Sequence, residues 1–310
     1  MGAFLTAFNA VLPLFLIILA GLLFSRTRAA SSYWIDVLNK YALWIGFPAL
    51  VINSLSQLDL EGGPILQLIL INSAYIVACI LLAYPVSRLL KLSNLQRRTL
   101  FLIFAFGNVA YLGMPVLQNM MGEQILPVAA ILSAVYVFWL LILALVLVEV
   151  HAEEGQLHIS KLMASLVKNP LLLSVLVGVL ILAFNIRLPA ALAKTISMFS
   201  GSVTPIVLFS LGIFMGYQSR GTLRDWAFTG VFVVITMILF PALFHLSIRG
   251  SNMPADYIKA SILDAAMPLG LTPYALSQQY HLDTPFAART VVLATLVSVV
   301  ILPIWSLILG

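Results

Sequence analysis

Apolar runs of about 20 residues recur from one end of this chain to the other, with short polar breaks between them. A hydrocarbon core roughly 30 Å thick needs helices of that length, and each helix must satisfy its own backbone because no water reaches it. Composition points to the same solvent: 62% of residues are hydrophobic and 9% charged, against roughly a quarter charged in soluble domains. Period-two alternation is absent, which argues against an outer-membrane barrel. The chain is predicted to be an all-α integral membrane protein whose first partner is the lipid bilayer.

The predicted spans are 5–24, 33–55, 64–86, 99–119, 125–148, 170–186, 192–216, 226–246, 257–280 and 285–309, ten in all. The first begins at once without a basic leader and is followed by Arg26 and Arg28 rather than a small-residue cleavage site, so it is expected to be retained. Between the spans or near their ends, Arg26, Arg28, Lys40, Arg88, Lys91, Arg97, Arg98, Lys161, Lys168, Arg220, Arg224 and Arg289 fall on one side. Only Arg187, Lys194, Arg249 and Lys259 fall on the other. Cationic loops stay cytoplasmic, so both termini are expected on the outer side of a bacterial inner membrane. The formal charge of +5 resides in these loops and forms no patch interleaved with aromatics; nucleic acid is not an expected partner.

Several chemistries lack their residues. Cys79 is the single cysteine, which leaves neither a disulfide framework nor a thiolate metal site. His151, His158, His245 and His281 include no pair at helical ligand spacing, so no metal and no cofactor are expected beyond a coupling H+ or Na+. No HExxH, GxSxG or acid cluster is present, and the chain is not expected to be an enzyme. A channel would show rings of pore-lining polar residues, and these are not found either.

The two halves resemble each other. Phe47-Pro48-Ala49-Leu50 in the second run corresponds to Thr204-Pro205-Ile206-Val207 in the seventh, and Leu112-Gly113-Met114-Pro115 in the fourth to Leu269-Gly270-Leu271-Thr272-Pro273 in the ninth. Five helices per half is an odd number, so the second half inserts with opposite orientation, the pattern of an inverted repeat in secondary transporters. The expected organisation is a first five-helix repeat over 1–148, a cytoplasmic connecting loop over 149–169 and a second, inverted repeat over 170–310.

Runs four and nine carry the candidate chemistry, since both place glycine and proline at mid-depth. Proline lacks an N–H and clashes with the carbonyl four residues earlier, so each helix is expected to kink or unwind. Unwound backbone at that depth requires surrounding protein or a water-filled cavity. If the two breaks cross, the half-helices beginning near Pro115 and Pro273 aim their N-terminal N–H groups at the centre, where a carboxylate is favoured without any cation. The candidate substrate-binding residues are therefore Gly107, Asn108, Gly113, Pro115, Pro268, Gly270, Thr272, Pro273 and Tyr274. Asp264 follows Asp256 by eight residues, roughly 12 Å along a helix. A carboxyl there is costly to ionise unless paired. Asp264 and Asn108 are candidates for the coupling ion; capping of free N–H groups and direct substrate contact remain alternatives for Asp264. Asp36 and Lys40 read as a local i, i+4 ion pair, Asn53, Asn72 and Ser73 as interhelical hydrogen bonders, and Gly212 and Gly216 as a GxxxG for close helix approach within the chain or across a dimer.

These residues also carry a resemblance. Gly107-Asn108, Gly113-Met114-Pro115 and Met121-Gly122, then Ala265-Ala266-Met267-Pro268 with Gly270, Pro273 and Tyr280, resemble the auxin efflux carrier family. Leu38-Asn39-Lys40, Pro48-Ala49-Leu50 and the tail from Pro303 to Leu309-Gly310 extend the likeness along essentially the whole chain. The family holds plant auxin exporters and bacterial relatives described as malate or malonate permeases. The resemblance implies a ten-helix, two-repeat fold with crossed broken helices four and nine, similar to bile-acid and sodium–proton carriers. It further implies a homodimer moving a small organic anion by an elevator-like shift, with helices one, two, six and seven as scaffold. Two features depart from the pattern: the central connection is shorter than in many plant members, implying a bacterial protein, and Asp264 stands where many relatives carry an uncharged residue. A coupled carrier of another substrate class, and a membrane receptor or assembly subunit, are the competing readings.

Overall fold

The computed structural model describes residues 2–56, 64–151, 164, 167–184, 186–218 and 221–310. The described elements are α1 (Gly2–Phe24), α2 (Tyr33–Leu55), α3 (Ile65–Leu89), α4 (Asn94–Ala105), α5 (Met114–Met121), α6 (Glu123–Val148), α7 (Pro170–Ala183), α8 (Ala190–Tyr217), α9 (Leu223–Ile248), α10 (Ala255–Ala265), α11 (Leu271–Gln279) and α12 (Thr284–Ile308). The connecting segment 149–169 lies largely outside the described residues, as do His158, Lys161 and Arg220.

Where ten spans are predicted, seven helices among the described residues are long and apolar enough to cross a membrane. The difference has a local cause. α7 is apolar but short, and the fourth and ninth predicted spans are each cut into two pieces, α4 with α5 and α10 with α11. Helix starts follow polar caps: Ser93 and Gln96 form a reciprocal capping box ahead of α4, and Thr222 with Asp225 repeats it for α9. Asn169 accepts from the N–H groups of Leu171 and Leu172 with Pro170 at the first helical position.

Three prolines shape helices without breaking them. Residues Ala42–Gly46, Val109–Gly113 and Ile235–Leu239 have π-type backbone, and each stretch ends two residues before a proline, Pro48, Pro115 or Pro241. The wider turn relieves the contact between the pyrrolidine ring and the preceding turn.

The chain forms two compact units, each drawing on both halves of the sequence. The first comprises Met1–Gly63, Ala110–Ala134 and Val167–Ser219, and so includes α1, α2, α5, α7 and α8. Within it α1 and α8 touch at backbone distance: a methyl group added at Gly212 would lie 2.0 Å from the carbonyl oxygen of Ile18, and one at Gly21 2.1 Å from that of Phe209. The GxxxG of α8 is thus used inside the chain. Two polar contacts tie α2 to α8, Tyr41 Oη with Ser202 Oγ (2.7 Å) and Ser210 Oγ donating to Asn39 Oδ1 (3.0 Å).

The second unit comprises Pro64–Val109, Val135–Leu166 and Arg220–Gly310. Its core is aromatic, with Phe104, Phe228, Phe232, Phe240 and Phe286 in edge-on or tilted pairs. Trp305 on α12 donates its indole N–H to the carbonyl of Met237 (2.9 Å). Met237 lies four residues before Pro241, and proline has no N–H to offer that carbonyl. Asn72 on α3 donates both to Leu68 O and across to Ser261 Oγ on α10, each at 2.9 Å.

Candidate functional site

In the second unit the helix begun at α4 stops at Ala105, and Phe106 is extended (φ −149°, ψ 104°). Gly107 then pairs antiparallel with Leu269, and the backbone N–H of Asn108 donates to the carbonyl of Pro268 (2.5 Å). The partner segment is equally unwound. α10 ends at Ala265, the N–H of Met267 returns to the carbonyl of Asp264 (3.1 Å), and Gly270 is extended (φ −83°, ψ 174°) ahead of α11. The two interruptions therefore satisfy part of each other's backbone, as buried non-helical chain must. The approach is close where they meet: a methyl at Gly107 would stand 3.2 Å from the carbonyl oxygen of Met267 and 3.3 Å from its Cβ.

Of the prolines that suggested the breaks, two lie in the first turn of the helix that follows. Helical backbone resumes at Val109, six residues ahead of Pro115, because the π turn absorbs that proline in the first turn of α5. Pro273 likewise sits in the first turn of α11, where its missing N–H costs nothing. Pro268 alone lies inside an unwound stretch.

Gly107, Asn108, Pro268 and Gly270 thus come together at the paired breaks. Thr272 and Tyr274 lie half-buried in the first turn of α11, where Tyr274 Oη accepts from Gln278 Nε2 (2.9 Å). Gly113 and Pro115 are buried beyond the break, in residues belonging to the first unit. There Met114 and Pro115 help line a cavity of about 770 Å³ whose walls include Ser54, Gln118, Ser200 and Thr204. That volume is within the usual range of small-molecule sites, about 300–1,000 Å³.

The chemistry at the breaks is set by what is left unpaired. Asn108 is 1% exposed and neither Nδ2 nor Oδ1 has a hydrogen-bond partner. Asp264, also 1% exposed, has both carboxylate oxygens unpartnered and caps no N–H of its own break. No lysine, arginine or histidine is buried among the described residues. Among them, too, no group of three His, Cys, Asp or Glu side chains stands ready for a metal ion. Asp36 and Lys40, an expected local pair, are both exposed at the start of α2.

Sequence reasoning passed over Tyr136. Its hydroxyl is buried and unpartnered, and its ring meets Phe106 edge-on at 6.4 Å. A cavity of about 20 Å³, room for a single water, lies between Tyr136, Gly107, Ala265 and Met267. The available signal was a phenol in mid-run, three residues after Ser133, in a stretch otherwise apolar from Leu126.

Residues 6–306 match the membrane transport protein family. Over its full length the chain is similar to an uncharacterised transporter of Methanothermobacter thermautotrophicus, 26% identical across 99% of each chain. A Rhizobium meliloti protein provisionally named a malonate transporter is 23% identical over 93% of this chain and 91% of its own. Auxin efflux carrier component 1 of Arabidopsis thaliana is 28% identical over 47% of this chain and 24% of the plant protein.

Proposed function

The chain belongs to the auxin efflux carrier family of membrane transport proteins, and from that premise we propose that it is a secondary carrier of a small organic anion, with its site at the paired breaks of α4–α5 and α10–α11. The observation that carries this reading is the bridge between Gly107 and Leu269 beside the buried, unpartnered amide of Asn108. Broken helices near mid-membrane offer free backbone donors to a carboxylate, and the absence of a buried cation among the described residues leaves those dipoles as the source of positive potential. The names of its relatives, a malonate transporter and auxin carriers, agree in one respect: each substrate is a small carboxylic acid.

In this reading Asn108, Gly107, Pro268, Gly270 and Thr272 meet the substrate, with Gly113, Pro115, Pro273 and Tyr274 shaping the flanking turns. The cycle in this reading is elevator-type alternating access, in a homodimer with both termini outside a bacterial inner membrane. Counterflow in proteoliposomes tests the transport claim. Radiolabelled malonate or indole-3-acetate is expected to exchange against the same unlabelled acid at a rate well above that of protein-free vesicles. No exchange of either acid, or of malate, would overturn the anion-carrier assignment.

A further inference from the structure

Asp264 is the one Asp, Glu, Lys, Arg or His residue that is buried among the described residues, and it is buried with no partner. An ionised carboxylate withdrawn from water normally recovers its hydration through N–H donors or a cation. Two N–H groups beside the carboxyl are spent elsewhere: that of Ala266 bonds to the carbonyls of Ile262 and Leu263, and that of Met267 to the carbonyl of Asp264 itself. The titratable side chains within electrostatic reach are Tyr75 on α3, beside Cys79, and Tyr136 on α6. The charged and titratable groups of the packed helices are engaged or distant. Lys259 bonds to the carbonyl of Gly310 and Arg289 lies against Gly221, while Asp256 begins α10 and His245 lies in the last turn of α9.

The surroundings suit a proton better than a metal cation. Hard cations require several oxygen ligands to replace their water. The cavity next to Ala265 is water-sized and no carboxylate lines it. Its oxygen-bearing side chains are Tyr75, Tyr136 and Thr236, and the Thr236 hydroxyl already donates to the carbonyl of Phe232 (2.9 Å). A neutral carboxyl needs fewer partners than an ionised one, and the cavity, with room for one water, lies beside Ala265, next in sequence to Asp264, with Tyr136 on its wall.

Resting on the carrier reading above, we propose that Asp264 is the proton-binding residue of the transport cycle, holding a proton while its break is closed and exchanging it through the water-sized cavity that Tyr136 lines. No bond other than O–H is made or broken, and the proton passes between the carboxyl and water. Tyr136 is a positioning residue: its hydroxyl orients the exchanging water.

Two measurements on the full-length protein decide the matter. In infrared spectra of the reconstituted wild type, a protonated-carboxyl stretch is expected at neutral pH, lost in Asp264→Asn and displaced in Tyr136→Phe. In uptake assays, an imposed pH gradient of one unit is expected to shift the wild-type substrate distribution by up to about tenfold, the limit for one proton per substrate. A sodium gradient is expected to leave it unchanged. Asp264→Glu, which keeps a titratable carboxyl, is expected to retain the pH response, and Asp264→Asn to lose it whatever its exchange rate. Sodium-driven accumulation, absence of the infrared band in folded wild type, or an intact pH response in Asp264→Asn would overturn the proposal. Wild-type counterflow without any pH response would sink the proton site alone, whereas absence of counterflow would sink the carrier reading beneath it.

Discussion

Gly107 and Leu269 form an antiparallel bridge between two interrupted helices, the one strand-like pairing among the described residues. The approach is close: a methyl at Gly107 would press on the Met267 carbonyl and Cβ at 3.2 and 3.3 Å, and a larger, branched side chain more so. Gly107→Val is therefore expected to force the two breaks apart at a cost of ~1–3 kcal/mol. If the paired breaks hold the substrate, kcat/KM for uptake falls roughly 5- to 150-fold. Uptake by size-exclusion-monodisperse protein checks this; unchanged kcat/KM would separate the bridge from transport.

Trp305 serves the carbonyl that Pro241 leaves without a donor, and it does so from another helix. Trp305→Phe keeps much of the ring's apolar bulk but strands the Met237 carbonyl in a buried setting. A loss of about 1–3 kcal/mol is expected, the cost of an unsatisfied buried acceptor, read as a lower melting temperature in detergent. A melting temperature equal to that of the wild type would show that Met237 has another donor.

Gly212 and Gly201 lie on the same helix and differ in what a side chain would meet. A methyl at Gly212 collides with the backbone of α1, whereas one at Gly201 meets nothing within 4 Å. Gly212→Leu is expected to destabilise the first unit by more than about 2 kcal/mol, with Gly201→Ala near neutral. Thermal unfolding of the pair checks both; equal melting temperatures would contradict the close packing of α1 and α8.

Much of this was legible in the residues themselves. Glycine and proline at mid-depth of an apolar run announce unwound backbone, and Gly107, Pro268 and Gly270 do lie where the two helices open. The caps at Ser93, Asn169 and Thr222 likewise read directly from residue type. What a proline does was not legible. Pro48, Pro115 and Pro241 widen a turn rather than end a helix, and which outcome prevails depends on the neighbours that receive the freed carbonyl. For Pro241 that neighbour is Trp305, 64 residues away in sequence. Gly212 and Gly216 announced a close contact without naming α1 as the partner. Tyr136 drew no attention, because a tyrosine in an apolar run is ordinary until the fold buries its hydroxyl unpaired.

Asn108 is where the central claim is exposed to direct test. Equilibrium binding of malonate to purified wild type, Asn108→Gln and Asn108→Asp separates location from charge. A new carboxylate about 4 Å from a bound one, in surroundings of effective dielectric near 20, opposes binding by ~4 kcal/mol. If a small organic anion is held at the paired breaks without a cation, Asn108→Asp is expected to lose at least about tenfold in affinity while remaining folded by thermal melt, with Asn108→Gln less affected. Asn108→Asp protein that binds malonate as tightly as wild type would place the anion somewhere other than the bridge between Gly107 and Leu269.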